Sequence, residues 1–569
     1  MKTFTNILFM LVLLLQNPVI KASWPAIYPD NPSGLYYGHV ITADNSGNCY
    51  VSGLNNVGNY NGWMQYNVTT LKYNSEGTLV WMREHDMHRA FSYTSKMIYY
   101  HGPENDFIFI TGYLFPVNGG PDDFDYRIFT LAYKINGDEA WYQEYNVIGK
   151  SDVGNSIACD AFGNVYVAGF TNNNPAWTMD GSKFAVIKYD LEGHQVWVRE
   201  IFHNYYDIAY SVKVFGSFVC AGGLTNNGSN NDFMTVLWDN NGTEQWRTTY
   251  DNNNGNDTVK DLTINYSGVY VTGCSESSGP KATTIKYNFS GGQDWVNNEF
   301  AGCNNSIQIF ERQIGYGVKG PTTRLTDVFT TGYSGLYPSN CSGQTIRYTI
   351  SGGVDWRKIY STNRQLDLLS LKLDNAENVI VTGFDFSGNI FGNPVGYTIK
   401  YNNAGVLQWV NTLSSHSFLW LFDLALDPSG NAFVAGTASN DYIGNSIPVF
   451  ENELNMSAYY ITTKYETDNG GDNQDNFNSF TANKYNLSQN HPNPFNPSTT
   501  IKYSIPYSGF VSIKVYDMLG REIVQLVNEF KESGNYDVIF DGSNLSSGVY
   551  IYRLQAGLFS DMKKMILIR

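Results

Sequence analysis

Few residues of this chain combine the types and spacings that chemistry requires. Asp122 and Asp123 are adjacent acids, but a glycosidase needs its acid and base held roughly 5 to 9.5 Å apart, usually from different parts of the chain. They read as solvated loop carboxylates. His85-Asp86-Met87-His88 sets two histidines three positions apart, fewer ligands than a zinc site uses, and reads as a surface connection. Asp468 to Asn476 (DNGGDNQDN) is rich in oxygen donors but lacks the closing bidentate glutamate of a calcium loop, and reads as a flexible linker. No nucleophile constellation or phosphate loop stands out. The sequence therefore assigns no catalytic residue, no cofactor and no metal ligand. The better candidates are aromatics set among Asn and Asp in long loops: Tyr60, Trp63, Phe115, Trp177 and Tyr337. Flat rings beside hydrogen-bonding groups suit a sugar ring or a protein partner. The competing reading is that they only pin their own loops.

The loops must be carried by something, and the something is repeated. Seven times an aromatic, a glycine and a tryptophan recur at fixed offsets, as in Tyr73/Gly77/Trp81, Tyr133/Gly137/Trp141, Tyr189/Gly193/Trp197 and Tyr401/Gly405/Trp409. With Trp24 counted as an eighth, successive tryptophans lie 49 to 61 residues apart, a period of propellers and solenoids. Each unit also holds a β-branched and aromatic run that ends in glycine, such as VYVAG at Gly169, FVCAG at Gly222 and VYVTG at Gly273. With the Asp/Asn-x-x-Gly turns on either side, each unit reads as four antiparallel strands, the makeup of a propeller blade.

The last unit ends in TTKY (Thr462 to Tyr465) without a tryptophan strand, and Trp24 to Tyr28 stands alone near the N-terminus. The expectation is an eight-bladed β-propeller closed by that N-terminal outer strand, which removes two exposed edges. Long insertions fall between the second and third strands, on the face shared with the blade-to-blade connections.

The pattern D-x-x-G-N-V-Y-V-x-G followed by K-Y-x-x-x-G-x-x-x-W resembles the bacterial secreted beta-propeller repeat family over roughly Ser23 to Glu466. The glycine-to-tryptophan offset is also similar to the tryptophan-docking motif of eight-bladed quinoprotein dehydrogenases, but the adjacent cysteine pair of many of those enzymes is absent. From Leu487 onward the segments PNPFNPSTTI, YDMLGRE and LSSGVYIY, with a basic-apolar end, resemble the type A sorting domain of type IX secretion. That resemblance implies a small Ig-like β-sandwich, export through the outer membrane of a Bacteroidota-like bacterium, contact with the type IX secretion machinery and, after cleavage, exchange for a surface glycolipid anchor. It also assigns Lys563, Lys564 and Arg569 to the sorting signal.

Composition sets the remaining bounds. Met1 to Ala22 has the charged start and short apolar core of a signal peptide. The 42% hydrophobic and 15% aromatic content supports packed cores rather than disorder. A net charge of −16, with its acidic excess between residues 23 and 483, repels nucleic acid. Of six cysteines, Cys49, Cys159 and Cys220 fall in strands and read as small apolar residues, and Cys303 with Cys341 is the expected pair if a disulfide forms. The expected layout is a signal peptide (1–22), propeller (23–466), linker (467–483) and sorting domain (484–569), all-β throughout. The expected role is a secreted or surface-displayed, non-catalytic module that binds glycan or protein. The alternative is a secreted hydrolase or quinoprotein-like oxidoreductase with its site at the propeller axis.

Overall fold

A computed structural model describes residues 24–28, 36–60, 63–87, 90–116, 126–146, 151–172, 180–203, 205–277, 279–314, 323–335, 341–362, 364–386, 394–413, 418–439, 458–466, 486–505, 509–518, 521–531, 534–556 and 559–568. The expected signal peptide and linker, with His88, Asp122, Asp123, Trp177, Tyr337 and Arg569, lie outside the described residues. The chain divides into two compact units, with the boundary at Asp468 and Asn469.

The described strands of the first unit form eight antiparallel sets of four. The sets, called blades 1 to 8 in chain order, span 36–85, 90–145, 153–201, 207–250, 257–301, 302–360, 365–413 and 418–465. Blades 5 and 6 share one long strand, Gln293–Ile314. Its first part pairs with Lys281–Tyr287 and its second with Thr323–Ser334, so it is the outer strand of one blade and the inner strand of the next. Blade 8 takes its fourth strand from the other end of the chain. Trp24–Tyr28 runs antiparallel to Ala458–Tyr465, with Trp24 opposite Lys464 and Tyr28 opposite Tyr460.

Burial peaks in the two middle strands of a blade. The second strand of blade 3, Val165–Asn172, is buried along its whole length, whereas its outer strand Gln195–Ile201 buries few side chains. Apolar cores therefore lie between blades. Val40, Tyr50, Val68 and Trp81 of blade 1 pack on Met97, Ile108, Ile110 and Phe129 of blade 2. The other face of blade 1 packs Ile41, Val51 and Leu71 against Phe433, Ala435 and Tyr460 of blade 8.

The repeated tryptophan reaches forward into the next blade. Trp81 Nε1 donates to the Ile135 carbonyl at 3.0 Å, Trp141 to Leu191 at 2.8 Å, and Trp356 to Asn403 at 2.8 Å. Each acceptor stands two residues before a turn glycine of the following blade. At Gly193, where φ is +88°, an added Cβ would press on the Trp141 ring at 2.6 Å, so glycine both supplies the left-handed conformation and leaves room for the indole. The Lys72 amine reaches the same carbonyl as Trp81, at 3.0 Å. Lys464 of blade 8 makes the corresponding contact with Ser75 of blade 1 at 3.1 Å.

Three expectations are corrected. The strands do not end at their glycines: Val165–Asn172 runs on past Gly169. In blade 4 the equivalent glycine is Gly223 rather than Gly222, because Gly223 is the one that lies against an inner-strand carbonyl, that of Ile208. The disulfide joins Cys274 to Cys303, with Cα atoms 4.7 Å apart, and Cys341 is buried and takes no part in it. The pairing follows from the packing of the blade 6 inner strand beside the second strand of blade 5. Cys49 and Cys220 are buried and Cys159 partly so.

The second unit contains two sheets. Asn486–Leu487, Ser498–Ile505 and Gly534–Asp541 form one; Glu522–Lys531, Gly509–Tyr516, Gly548–Ala556 and Phe559–Leu567 form the other in that order. Ile501, Tyr503, Ile505, Val511, Ile513, Val515, Tyr552 and Leu554 fill one core, the product of period-two alternation on half-buried strands. The NPFNP run clamps the C-terminal strand. Phe495 is buried, and its amide and carbonyl bond Ile566 and Ile568 at 2.9 and 3.0 Å. Lys563 lies 3.9 Å from Asp561, and the Lys564 carbonyl accepts from Gln489 at 2.6 Å.

Candidate functional site

The inner strands share one irregularity that builds the site. In seven blades the register between first and second strands shifts at an equivalent place, between Gly38 and Val40, Thr94 and Lys96, Gly154 and Ser156, Val259 and Asp261, Asn304 and Ser306, Leu368 and Ser370, and Leu421 and Asp423. A β-bulge of this kind leaves one residue unpaired and turns side chains away from the ladder. The repeated glycine faces each bulge, and a Cβ at Gly169 would overlap the Val153 carbonyl oxygen. Glycine is what lets the bulged strand lie close.

Each blade presents two successive residues of its inner strand to a common axial cavity of about 260 Å³. Blade 2 gives Ser95 and Lys96, blade 4 Tyr210 and Ser211, blade 5 Lys260 and Asp261, and blade 8 Phe422 and Asp423. Lys213 and Lys372 enter two positions further along their strands.

The charges are unevenly compensated. Asp423 accepts from Lys96 at 3.1 Å, from Ser370 Oγ at 3.0 Å and from the Leu424 amide at 3.0 Å. Asp261 accepts from Ser211 Oγ at 2.8 Å and Ser306 Oγ at 3.3 Å, with Lys213 at 3.5 Å. Burial works to raise both carboxyls, but Lys213 at Asp261 and Lys96 at Asp423 outweigh it and hold both below the usual carboxylate range. Lys260 and Lys372 have no carboxylate within ion-pair distance among the described residues. Lys260 lies over the Tyr210 ring at 5.9 Å. Burial, reinforced by the charge of Lys96, lowers Lys372 to about 8. Near Lys260, burial raises Asp367 to about 7, against a 2.7 Å hydrogen bond from Asn305. The one histidine of the cavity, His39, is lowered to about 4 by burial between Tyr93 and Phe422, at 4.6 and 5.5 Å.

Of the aromatics singled out from sequence, Tyr60 and Trp63 are register partners at the tip of the blade 1 hairpin between second and third strands. Phe115 is buried, stacked on Phe91 at 5.2 Å and packed on Tyr126 at 5.1 Å, and so braces its own blade. His85 bonds Glu139 at 2.9 Å and lies against the Tyr142 ring, 4.1 Å away and tilted by 32°. The axial lysines and aspartates were not singled out from sequence. A signal for them exists: four residues before the first-turn Asp or Asn, blades 1, 3 and 7 have Val40, Ser156 and Ser370, while blades 5 and 8 have Asp261 and Asp423.

Comparison with known proteins gives two family matches. Residues 490–568 match the secretion system C-terminal sorting domain, and residues 140–175 match the beta-propeller repeat. No curated protein matches the chain. Similar solved structures include Sqt1 from Chaetomium thermophilum (7% identity, 78% of this chain and 100% of that one, TM-score 0.43). Another is the WD40 domain of SCAP from fission yeast (8%, 78% and 98%, 0.42). PorZ, described as a surface component of the type IX secretion system of Porphyromonas gingivalis, overlaps at 10% identity, 95% and 100% coverage, and a TM-score of 0.21. All three scores are low, and the fold rests on the strand pairing of this chain itself.

Proposed function

Because this chain is a secreted β-propeller protein exported through type IX secretion by its C-terminal domain, we propose that the propeller is a displayed binding module that seats an anionic group of its ligand at the axis. The observation that carries this reading is the surplus of lysine. Four lysines and two aspartates line the cavity, both aspartates are ion-paired, and Lys260 and Lys372 are left to meet a carboxylate, sulfate or phosphate. Fixed ammonium groups at a partly desolvated site attract such a group strongly. The net charge of −16 makes this local positive region more selective, since the outer surface repels polyanions that cannot thread it. Tyr60 and Trp63, on the face where the inner strands begin, are proposed to stack on the rest of a glycan or peptide ligand.

Titration of the purified chain with sulfate, phosphate and glucuronate tests the site. Lys260→Met and Lys372→Met are each expected to weaken binding about tenfold, or ~1.4 kcal/mol, without loss of fold. The pH dependence has a definite sign. Lys372 is charged below about 8 and Asp367 is neutral below about 7, so affinity is greatest below pH 7 and falls as pH rises through 8. Equal affinity in both variants, or a flat pH profile, rejects the anion site. Perturbed titrating groups in a cleft also mark catalytic sites, which keeps the hydrolase or oxidoreductase reading testable: turnover of any substrate, lost in Lys372→Met, assigns catalysis instead.

We also propose that the sorting domain is removed after export, with cleavage between residues 467 and 487. Mass spectrometry of the surface-exposed protein should find fragments ending in that interval. Exported chains that all retain the peptide spanning Lys563 would count against processing.

A further inference from the structure

The first residue of an inner strand is a buried aspartate in blades 4 and 5, and the two are treated differently. In blade 4, Asp207 accepts from the His203 amide at 2.6 Å and lies 3.2 Å from His203 Nδ1. In blade 5 an asparagine-rich connection takes the place of that histidine, and Asp257 faces two more acids. One carboxylate oxygen from each of Asp232, Asp251 and Asp257 falls within 4.8 Å of the others. The three come from separate places: the start of the third strand of blade 4, the connection between the blades, and the start of the blade 5 inner strand. None of them forms a salt bridge among the described residues.

A second observation is independent of that clustering. Asp257 is fully buried, and its Oδ2 accepts from the Asn252 amide at 2.6 Å. Its Oδ1 is shielded from solvent and receives no hydrogen bond. The nearby Ser275 hydroxyl accepts from Thr283 Oγ1 at 2.9 Å, and its own proton works to favour the charged form of Asp257. Leaving a buried charged oxygen unsatisfied is costly, and burial, with the Asp251 and Asp232 charges behind it, pushes Asp257 up to about 6.

We propose that Asp232, Asp251 and Asp257 form a divalent-cation site for which calcium is the fitting ion. All the donors are hard oxygens, which calcium takes in sets of six to eight with flexible geometry, whereas magnesium demands a near-ideal octahedron. Asn230 stands beside the site, donating to Asp232 Oδ1 at 2.8 Å and to the Gly255 carbonyl at 2.7 Å. Turning its amide over would present an oxygen and release that carbonyl. The ion would then tie the loop before Asn231 to the connection between blades 4 and 5. The site does not depend on the anion reading of the axis.

The test is calorimetric titration of the chelator-treated full chain with calcium and with magnesium, alongside thermal unfolding in each. Terbium luminescence gives a local readout, since Tyr250 is close enough to Asp257 and Asp251 to feel both charges. Expected are one calcium per chain, a higher unfolding temperature with calcium, and terbium emission that calcium displaces. Asp251→Asn and Asp257→Asn should each weaken calcium binding about tenfold or more, and in chelator Asp257→Asn should unfold no earlier than the parent because a repelling charge is gone. Should Asp257→Asn fail to fold, the exposed Asp251 decides. No heat and no calcium-dependent shift in the parent, or calcium binding unchanged in Asp251→Asn, overturns the proposal.

Discussion

A chain that begins at Asp30 is expected to unfold roughly 5 to 10 °C below one that begins at Ser23. The lost strand, Trp24–Tyr28, makes five register pairs with Ala458–Tyr465, and cross-strand pairs contribute up to about 1 kcal/mol each. Its removal also uncovers Tyr460, which is buried now and lies 6.1 Å from the Tyr28 ring. The exposed edge of Ala458–Tyr465 becomes a template for pairing with another chain, so the shortened protein should self-associate as it warms. Differential scanning calorimetry with light scattering measures both effects. A synthetic peptide covering residues 23–31 should restore much of the lost stability. An unfolding temperature equal to the parent's would mean that the pairing of the two chain ends does not hold the propeller together.

The second large effect is expected at the glycines that face the bulges. Gly169→Ala places a methyl group on the Val153 carbonyl, a clash with backbone that no rotamer can relieve. Overpacking of this kind costs about 1 to 3 kcal/mol and sometimes more. Gly383→Ala meets the Asp367 carbonyl in the same way. Gly353→Ala is the control, because its added Cβ comes no nearer than 3.4 Å, to Thr349 Oγ1. Chemical denaturation should show the first two variants markedly weakened and the third close to the parent. If Gly169→Ala matches Gly353→Ala, the close approach of inner strand to glycine is not what fixes this residue. Because Asp367 sits at such a bulge, Gly383→Ala should also disturb the axial cavity.

Much of the local structure was legible in the sequence, because local structure is decided by neighbours in the chain. The Asp-x-x-Gly-Asn turns form where they were expected: Asp44 Oδ1 accepts from the Ser46 and Asn48 amides at 2.9 and 3.0 Å, and Asp427 repeats the arrangement with Ser429 and Asn431. Four-stranded units, β-branched inner strands and the C-terminal sorting domain follow from the same short-range patterns. The tryptophan motif was legible as a period but not as a contact. Its tyrosine, glycine and tryptophan are eight residues apart at most, yet Trp141 docks on Gly193 and Leu191 of the next blade.

What only the tertiary structure decided is which distant residues share a space. A ring brings the same position of every repeat to one axis, so Lys96 meets Asp423 across 327 residues of sequence. No local spacing reveals that pair. Cys303 bonds Cys274 rather than Cys341 because the inner strand of blade 6 packs beside the second strand of blade 5, and such packing, not loop character, sets which thiols come within reach. Phe115 turns inward because its strand runs on beyond the repeated glycine. Asp232, Asp251 and Asp257 gather for a like reason, at a junction of two blades. The sequence by itself determined the repeated unit and the address, since both are written in short-range hydrogen bonds and strand alternation; the charge at the axis and the acids at the junction arise only when closure of the sheets sets side chains from different repeats against one another.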